Sequence, residues 1–476
     1  MGEPAAAAPT SGAPLSAEAE ATGGDPPRVM SDAAYYFLAV LVGAMAGAVG
    51  AAFHQLSTAA LGWAGLVLQY FEGAQALGVL AGVSALMVLV SVALVRIFAP
   101  EAAGSGVQEI EGALDGQREV RWKRILPVKF VAGILSLGSG LVLGREGPTI
   151  HIGASLAKAV GDGFVLGTRD GRGLLAAGGA AGLAAAFNAP LAAILFVIEE
   201  TRRQFPYGLR TYSAVIIASV VSAVVTEMAG GSGPMMGMQA LEMPFWLLPA
   251  FAGLGVILGV LGVIFNWALV AALDLSRGIG LKVSPYLVPL VVGAAIGPLL
   301  LLRPEATTGG EALAVQLATH PLTLATLAMV VLIRFVMTLA SYSTGVPGGI
   351  FAPILALATS VGLLAAMLLD LAVPLPPGAM VAFAVAAMGG LFSSTIRAPL
   401  VGMVLVAELT GAYVLMVPVI ITCVTANVVA EGLGGKPIYE VLLERTLRLA
   451  GQTPPREPKD EQLGGWDARR RQPPTV

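Results

Sequence analysis

The sequence predicts an all-α protein that crosses a membrane many times. Of its 476 residues, 56% are hydrophobic and only 12% are charged, which is too little charge to cover the surface of a soluble protein. The chain contains about a dozen apolar segments, each near the ~20 residues that a spanning helix needs. None of them shows the period-2 alternation of a transmembrane β-strand. The clearest segments are 33–53, 77–95, 211–228, 245–273 and 378–396.

The two ends of the chain differ in composition from this membrane part. Residues 1–30 are rich in Ala, Pro, Gly and acidic residues and lack the apolar core of a signal peptide, so we expect a disordered N-terminal tail. Residues 446–476 predict a polar C-terminal tail that is too short for a further folded domain. Basic loops at 117–124 and 201–210 adjoin apolar segments, and basic loops mark the cytoplasmic side. We therefore expect both termini to be cytoplasmic and the protein to lie in the cell (inner) membrane.

An internal repeat divides the membrane part. "NAPLAAILFVIEET" and "RAPLVGMVLVAELT" share Ala-Pro-Leu, an apolar run, and Glu and Thr at the same spacing. The repeated stretches are 129–140 with 334–345, and 188–201 with 397–410. Because the partners keep the same order and similar offsets, we interpret the chain as two membrane repeats, 31–240 and 244–445. Such duplication is typical of transporters and channels whose site lies between the halves. The sequence leaves open whether the halves are inverted.

Three Gly/Pro-rich breaks interrupt the apolar runs. They are "GSGVQEIEG" (104–112), "GREGP" (144–148) and "GVPGGIFAP" (345–353), and each is followed by a further apolar stretch. A helix that begins inside the membrane presents backbone N–H groups without intrahelical partners and the positive end of its dipole. Several such starts that converge form an anion site without a formal cation. An anion held only by partial charges can also leave, which transport requires.

Glutamates near these breaks are the candidate functional acids. A carboxylate in hydrocarbon costs about 2.5–3.5 kcal/mol, so such groups usually face a pathway. Glu146 follows a helix break and is the strongest candidate. Glu199 and Glu200 end an apolar run, and the alternative for them is a solvated helix end paired with Arg202 or Arg203.

Three further glutamates are weaker candidates. Glu109 and Glu111 lie beside the first break, where they either face the pathway or pair with the basic loop 117–124. Glu408 occupies the second repeat and is the weakest of the group.

The breaks also carry a family resemblance. "GSGVQ" (104–108), "GREGP" (144–148) and "GGIFAP" (348–353), followed by "KPIY" (436–439), resemble the signature stretches of the CLC family of chloride channels and proton-coupled chloride transporters. The resemblance covers about 31–446. It implies a homodimer in which each subunit has its own pore, built from two inverted halves of tilted, broken helices. The paired CBS domains that follow the membrane part of many members are not expected here.

The resemblance implies a central chloride site made by two hydroxyls and two amides. The Ser105 and Tyr439 hydroxyls are expected to donate to the ion, together with the backbone N–H groups of Ile350 and Phe351. These four residues are assigned to the chloride site by their positions within the signature stretches.

An outer anion site and a proton pathway follow from the same resemblance. The amides around Arg145, Glu146 and Gly147 correspond to the outer site, and Glu146 corresponds to the gating glutamate. Its carboxylate is an anion that competes with chloride and swings away when protonated. Glu200 falls where proton-coupled members carry an acid that passes protons toward the gate.

The predicted function is therefore exchange of chloride for protons, and the alternative is a passive voltage- or pH-gated chloride channel of the same fold. Glu200 favours exchange because channels of the family generally carry a non-acidic residue there. Ser105 favours chloride, since nitrate-preferring members carry proline at that position. Fluoride-exporting members alter the serine stretch and the proline of "GREGP", whereas this chain keeps Ser105 and Pro148.

Other function classes find little support in the sequence. An intramembrane hydrolase needs a nucleophile–base pair that no Ser–His spacing suggests, so we do not expect an enzyme. The single Cys423 excludes an internal disulfide framework, and His54, His151 and His320 lie far apart, so we expect no metal site and no cofactor. The expected partners are chloride, protons, the lipid bilayer and a second copy of the chain, and no nucleic acid.

The sequence does not decide the roles of two residues near the breaks. Gln108 stands where the family carries proline, with Val107 before it. His151, three residues after Pro148, either titrates or is a packed or hydrogen-bonded histidine, and the second is favoured.

Overall fold

The computed structural model describes residues 30–201, 208–230, 233–311, 313, 315–316 and 322–452. The predicted tails, apart from Met30 and residues 446–452, lie outside the described residues, as do Arg202, Arg203 and His320. Within the described ranges the chain forms helices and loops, with two isolated β-bridges and no sheet.

Seventeen α-helices are described. They are α1 Asp32–Leu61, α2 Trp63–Tyr70, α3 Gly73–Phe98, α4 Val107–Leu114, α5 Trp122–Gly138, α6 Glu146–Gly163, α7 Thr168–Phe187, α8 Pro190–Glu200, α9 Leu209–Gly230, α10 Leu248–Lys282, α11 Leu287–Leu302, α12 Leu324–Ser343, α13 Phe351–Asp370, α14 Ala379–Ile396, α15 Pro399–Thr410, α16 Met416–Gly432 and α17 Ile438–Leu449.

The predicted membrane segments are confirmed. Eight helical stretches among the described residues are long and apolar enough to cross a membrane, with mean hydropathies of 1.8 to 2.5. The five clearest segments of the sequence fall in α1, α3, α9, α10 and α14. Helices are required here because lipid offers no hydrogen bonds to the backbone. The chain is therefore a multi-pass membrane protein.

Each repeat contributes one pair of closely packed buried helices to the centre. In the first repeat α6 packs on α7, and in the second α13 packs on α14. A Cβ added to Gly178 of α7 would lie 3.0 Å from the Gly153 carbonyl carbon of α6. A Cβ added to Gly362 of α13 would lie 2.7 Å from the Ala387 Cβ of α14. Small residues at these crossings let the two helix backbones approach closely. In lipid, close packing of this kind stabilises helix pairs, because the hydrophobic effect does not drive them together there.

The short helices α8 and α15 show that the two halves are inverted. The carboxylate near the C-terminal end of each helix accepts hydrogen bonds from the first amides of the other. The four bonds run from Leu400 N (3.3 Å) and Val401 N (2.8 Å) to Glu199, and from Leu191 N (3.1 Å) and Ala192 N (2.7 Å) to Glu408. The two equivalent helices are therefore antiparallel neighbours. Glu199 and Glu408 cap helix starts, where a negative charge is stabilising.

Several helix ends meet on one face of the molecule. Arg210, just inside α9, pairs with Asp32 at the start of α1 (3.2 Å) and with Asp170 at the start of α7 (3.0 Å). Trp122, in the basic loop 117–124, donates to Asp162 at the end of α6 (3.1 Å). We call this side, which carries the basic loop 117–124 and Arg210, the basic face. The opposite side, where α9 ends, is the far face.

Candidate anion site and proton path

The three helix breaks meet through backbone hydrogen bonds. Gly104 donates to the Val346 carbonyl (3.1 Å) and accepts from Gly348 N (3.1 Å). Gly144 donates to the Gly349 carbonyl (2.9 Å) and accepts from Gly349 N (2.7 Å). Stretches some 200 residues apart in the sequence are thus fixed against one another, so that the starts of α4, α6 and α13 converge as predicted.

Two buried cations that were not among the predicted site residues hold the loops in place. Lys129 on α5 donates to the carbonyls of Ala102 (3.1 Å) and Gly104 (2.7 Å). Arg334 occupies the equivalent position on α12. It donates to the carbonyls of Glu305 (3.0 Å), Thr307 (3.0 Å), Thr308 (3.3 Å) and Gly309 (3.1 Å). The signal was a basic residue at the same place in both repeats, since an intramembrane charge needs a specific partner.

Glu146 lies in the centre of this arrangement. Its side chain is fully buried, and its Oε1 accepts from Phe351 N at 2.6 Å and from Ala352 N at 3.3 Å. Its own backbone N–H also points at the carboxylate. Oε2 is buried without a partner among the described residues. The glutamate therefore bridges the start of α6 to the start of α13, as a bound anion would.

Glycines make room for this carboxylate. A Cβ added to Gly144 would lie 2.6 Å from the Glu146 Cδ, and one added to Gly349 would lie 2.7 Å from the same atom. A Cβ on Gly147 would lie 2.6 Å from the Ser105 Oγ. Glycine is therefore required at these positions of the signature stretches, because any side chain there would displace Glu146 or Ser105.

The structure brings Ser105 and Tyr439 beside the same helix starts. Both side chains are fully buried, and neither hydroxyl has a hydrogen-bond partner among the described residues. The Tyr439 ring packs on Phe351 with centroids 5.7 Å apart, and the Tyr439 hydroxyl lies near that of Ser105. Ile350, the residue before α13, is fully buried next to them. Two buried hydroxyls without acceptors fit an anion ligand, because unpartnered buried donors are otherwise costly.

Arg145 lies on the far-face side of Glu146. It is 5% exposed, donates from Nε to the Ala186 carbonyl (3.0 Å) and pairs with Glu311 (3.2 Å). Arg145, Glu146 and Gly147, expected at the outer site, thus lie at the start of α6 together with the central-site residues.

Glu200 lies apart from this cluster, on the basic-face side at the end of α8. Its side chain lies beside that of Glu111, and Glu440 is nearby. Carboxylates this close to one another repel when both are charged. Glu109 instead pairs with Arg118 (2.8 Å). Of the two alternatives for Glu109, this is pairing with the basic loop and not facing the pathway. Glu111 therefore joins Glu200, an association the sequence left open.

Among the described residues, three cavities can be named that adjoin the site. A basic-face cavity of about 430 Å³ reaches Gly104 and Gln108, and a far-face cavity of about 290 Å³ is lined by Arg145 and Glu311. A third cavity of about 20 Å³ lies between Glu111 and Ile150, one turn along α6 from Glu146. The surface that lines it is apolar. The site thus adjoins one cavity on each face, and a small apolar cavity lies beside Glu111.

The two residues singled out in the sequence differ in surroundings. His151 is fully buried against Gly106, and neither ring nitrogen has a partner among the described residues, so it is packed without a hydrogen bond. Gln108 is buried with an unpartnered Oε1 and lines the basic-face cavity. In the part of the chain that the structure describes, no group of three His, Cys, Asp or Glu residues is arranged to hold a metal ion.

Inverted repeats of broken helices and a buried site made of helix starts, hydroxyls and one buried carboxylate define a membrane carrier or channel for small anions. The family model for voltage gated chloride channels matches residues 86–431. The chain therefore belongs to the CLC family, which confirms the resemblance and the fold class.

Individual relatives agree with this assignment. The H(+)/Cl(-) exchange transporter ClcA of Vibrio parahaemolyticus is 44% identical over 86% of this chain and 89% of that protein. ClcA of Salmonella schwarzengrund is 43% identical over 87% and 89%. Among solved structures, a slow cyanobacterial Cl−/H+ antiporter superposes with a TM-score of 0.84 at 35% identity, covering 88% of this chain and 99% of that one. The named relatives are transporters.

Proposed function

We propose that the protein exchanges chloride for protons across the membrane. The observation that carries this proposal is the position of the Glu146 carboxylate, which takes the Phe351 amide that the resemblance assigns to chloride. A carboxylate and a chloride ion cannot share that donor. Protonation removes the charge of Glu146 and frees the amide, so one side chain couples proton occupancy to anion occupancy.

Chloride is held without a formal cation in this proposal. The Ser105 and Tyr439 hydroxyls and the amides of Ile350 and Phe351 form the central site. The amides at the start of α6, around Arg145, Glu146 and Gly147, form the outer site when the glutamate has moved away. The unpartnered hydroxyls support the assignment. Partial charges bind the ion weakly enough for rapid release.

Protons reach Glu146 from Glu200 in this proposal. Glu111, which lies beside Glu200, shares a proton with it, because two negative charges so close together would repel. The names of the relatives, which are exchangers, support this function over a passive channel.

The setting of the protein completes the proposal. The chain lies in the cell (inner) membrane with the basic face toward the cytoplasm, because Lys and Arg concentrate in cytoplasmic loops. Both described chain ends fit that orientation, since Asp32 pairs with Arg210 and Arg445 lines the basic-face cavity with Arg118. We further propose a homodimer with one pore per subunit, as the family resemblance implies.

The test is a reversal-potential measurement on the purified protein in lipid bilayers under opposed chloride and proton gradients. For an exchanger the reversal potential shifts with pH at a fixed chloride gradient, whereas for a channel it follows chloride alone. A reversal potential that ignores pH would contradict the proposal.

Two variants test the proton path. We expect Glu200→Gln to keep chloride flux and to lose chloride-driven uphill proton movement, because Gln carries no transferable proton. In the Glu146→Ala variant we expect chloride flux that is no longer coupled to proton movement. Glu109→Gln is the matched control, since that basic-face carboxylate pairs with Arg118 and should leave coupling intact. Persistent proton pumping by Glu200→Gln would refute its role.

A further inference from the structure

Arg145 is a buried guanidinium directly before the gate. Its Nε donates to the Ala186 carbonyl (3.0 Å), and its Nη2 contacts the Met235 sulfur (2.9 Å) and the Glu311 carboxylate (3.2 Å). Its Nη1 is buried and has no partner among the described residues. One charged donor of the residue that precedes Glu146 therefore has no partner among the described residues.

This donor adjoins the space from which anions reach the gate on the far face. Arg145 and Glu311 both line the 290 Å³ cavity, together with the exposed His54. An anion that enters the cavity thus meets a guanidinium before it meets the amides of α6. Because guanidinium is always charged and binds anions strongly, an unbalanced arginine here would hold the ion and slow its passage.

Glu311 balances that charge. In the part of the chain that the structure describes, it supplies the ion pair of Arg145, and its side chain is 25% exposed. The other charged and titratable groups nearby are Glu146 itself, His54 in the cavity wall, and Glu227, which accepts from the cavity residue Asn188 at 3.4 Å. None of them is paired with Arg145 in the described part of the chain.

We propose that Glu311 is a positioning residue for anion passage through the far-face cavity. It fixes the guanidinium of Arg145 and cancels its charge, so that chloride is drawn to the gate but is not trapped beside it. This inference rests on the proposed chloride–proton exchange through the Glu146 site. Glu311 affects the rate of chloride passage and the chloride affinity on the far face. The ratio of chloride to protons exchanged depends on Glu146 and Glu200.

The test compares Glu311→Gln with the unaltered protein in proteoliposomes, with chloride varied on one face at a time. Molecules of one orientation are silenced with a membrane-impermeant thiol reagent at Glu119→Cys, which lines the basic-face cavity; the native Cys423 is buried. We expect the half-saturating chloride concentration on the far face to fall about two- to fivefold, the range of a partly exposed ion pair. The maximal rate should fall by a similar factor, because a tighter ion leaves more slowly.

Three controls separate this role from a general structural one. Glu311→Asp keeps the charge and should restore both parameters toward those of the unaltered protein. Glu305→Gln, whose carboxylate pairs with Arg303 at 4.0 Å, should change neither. Half-saturation on the basic face and proton coupling should stay the same in all variants.

The possible failures are distinguishable. An unchanged or raised far-face half-saturation in Glu311→Gln, or an equal change on both faces, overturns the inference while exchange by the unaltered protein stands. Absence of proton-coupled chloride movement in the unaltered protein overturns the proposed function itself.

Discussion

Replacing Glu146 with alanine is expected to strengthen chloride binding. In the structure its carboxylate occupies two amides at the start of α13, with bonds of 2.6 Å and 3.3 Å. Chloride must displace this tethered anion before it can use the same donors. Glu146→Ala removes the competitor and leaves the amides in place.

The magnitude follows from the shorter bond. A hydrogen bond to a charged group contributes about 1.5–3 kcal/mol, and the 3.3 Å bond adds less. Taking about 2–3 kcal/mol for the competition gives a fall in the dissociation constant of roughly 30- to 150-fold. In the unaltered protein, lowering the pH should also strengthen chloride binding, because protonation neutralises the competing carboxylate. The alanine variant should show no such dependence on pH.

The assay is titration calorimetry of the detergent-solubilised, chloride-free protein with potassium chloride. Glu408→Ala is the matched control, since Glu408 likewise accepts from two amides at a helix start (2.7 Å and 3.1 Å) but lies outside the anion site. Loss of that cap should lower the free energy of unfolding by about 1–2 kcal/mol and leave chloride affinity unchanged. Equal affinity in the Glu146 variant and the unaltered protein, or equal behaviour of both variants, would refute the competition argument.

Two further outcomes are expected. Gly182→Ala should lower the unfolding temperature, because the added Cβ would lie 2.7 Å from the Thr149 carbonyl carbon. Such overpacking typically costs about 1–3 kcal/mol. The control is Gly179→Ala on the same helix, where the nearest atom to the added Cβ lies at 3.8 Å, and this variant should be neutral or stabilising in the same thermal assay. Gln108→Pro should fold, since proline is accepted in the first turn of α4. It removes donors beside the basic-face cavity, so half-saturating chloride on that face should rise about two- to tenfold in flux measurements. A destabilised Gly179 variant, or an unaltered half-saturation in the Gln108 variant, would contradict these expectations.

The sequence by itself determined the membrane helices, the three breaks and the identity of the gate candidate. Segments such as 211–228 and 378–396 are visible because hydropathy is a local property, and lipid forces each such run into a helix. Glu146 stood out because a carboxylate beside a helix break in an apolar run is costly without a role. The repeat was visible in the same way, from matching stretches in one order.

Only the tertiary structure decided the partners of these groups. Glu146 meets the Phe351 amide across 205 residues of sequence, and Glu408 meets Ala192 across 216. No local pattern encodes such distances, since a charge in a sequence does not specify which donor will face it. The antiparallel capping of α8 and α15 likewise showed the inversion that the residue order left open. The pairing of Glu311 with Arg145, and hence the charge balance at the far face, exists only because the fold brings Glu311 of the second repeat against the start of α6 in the first.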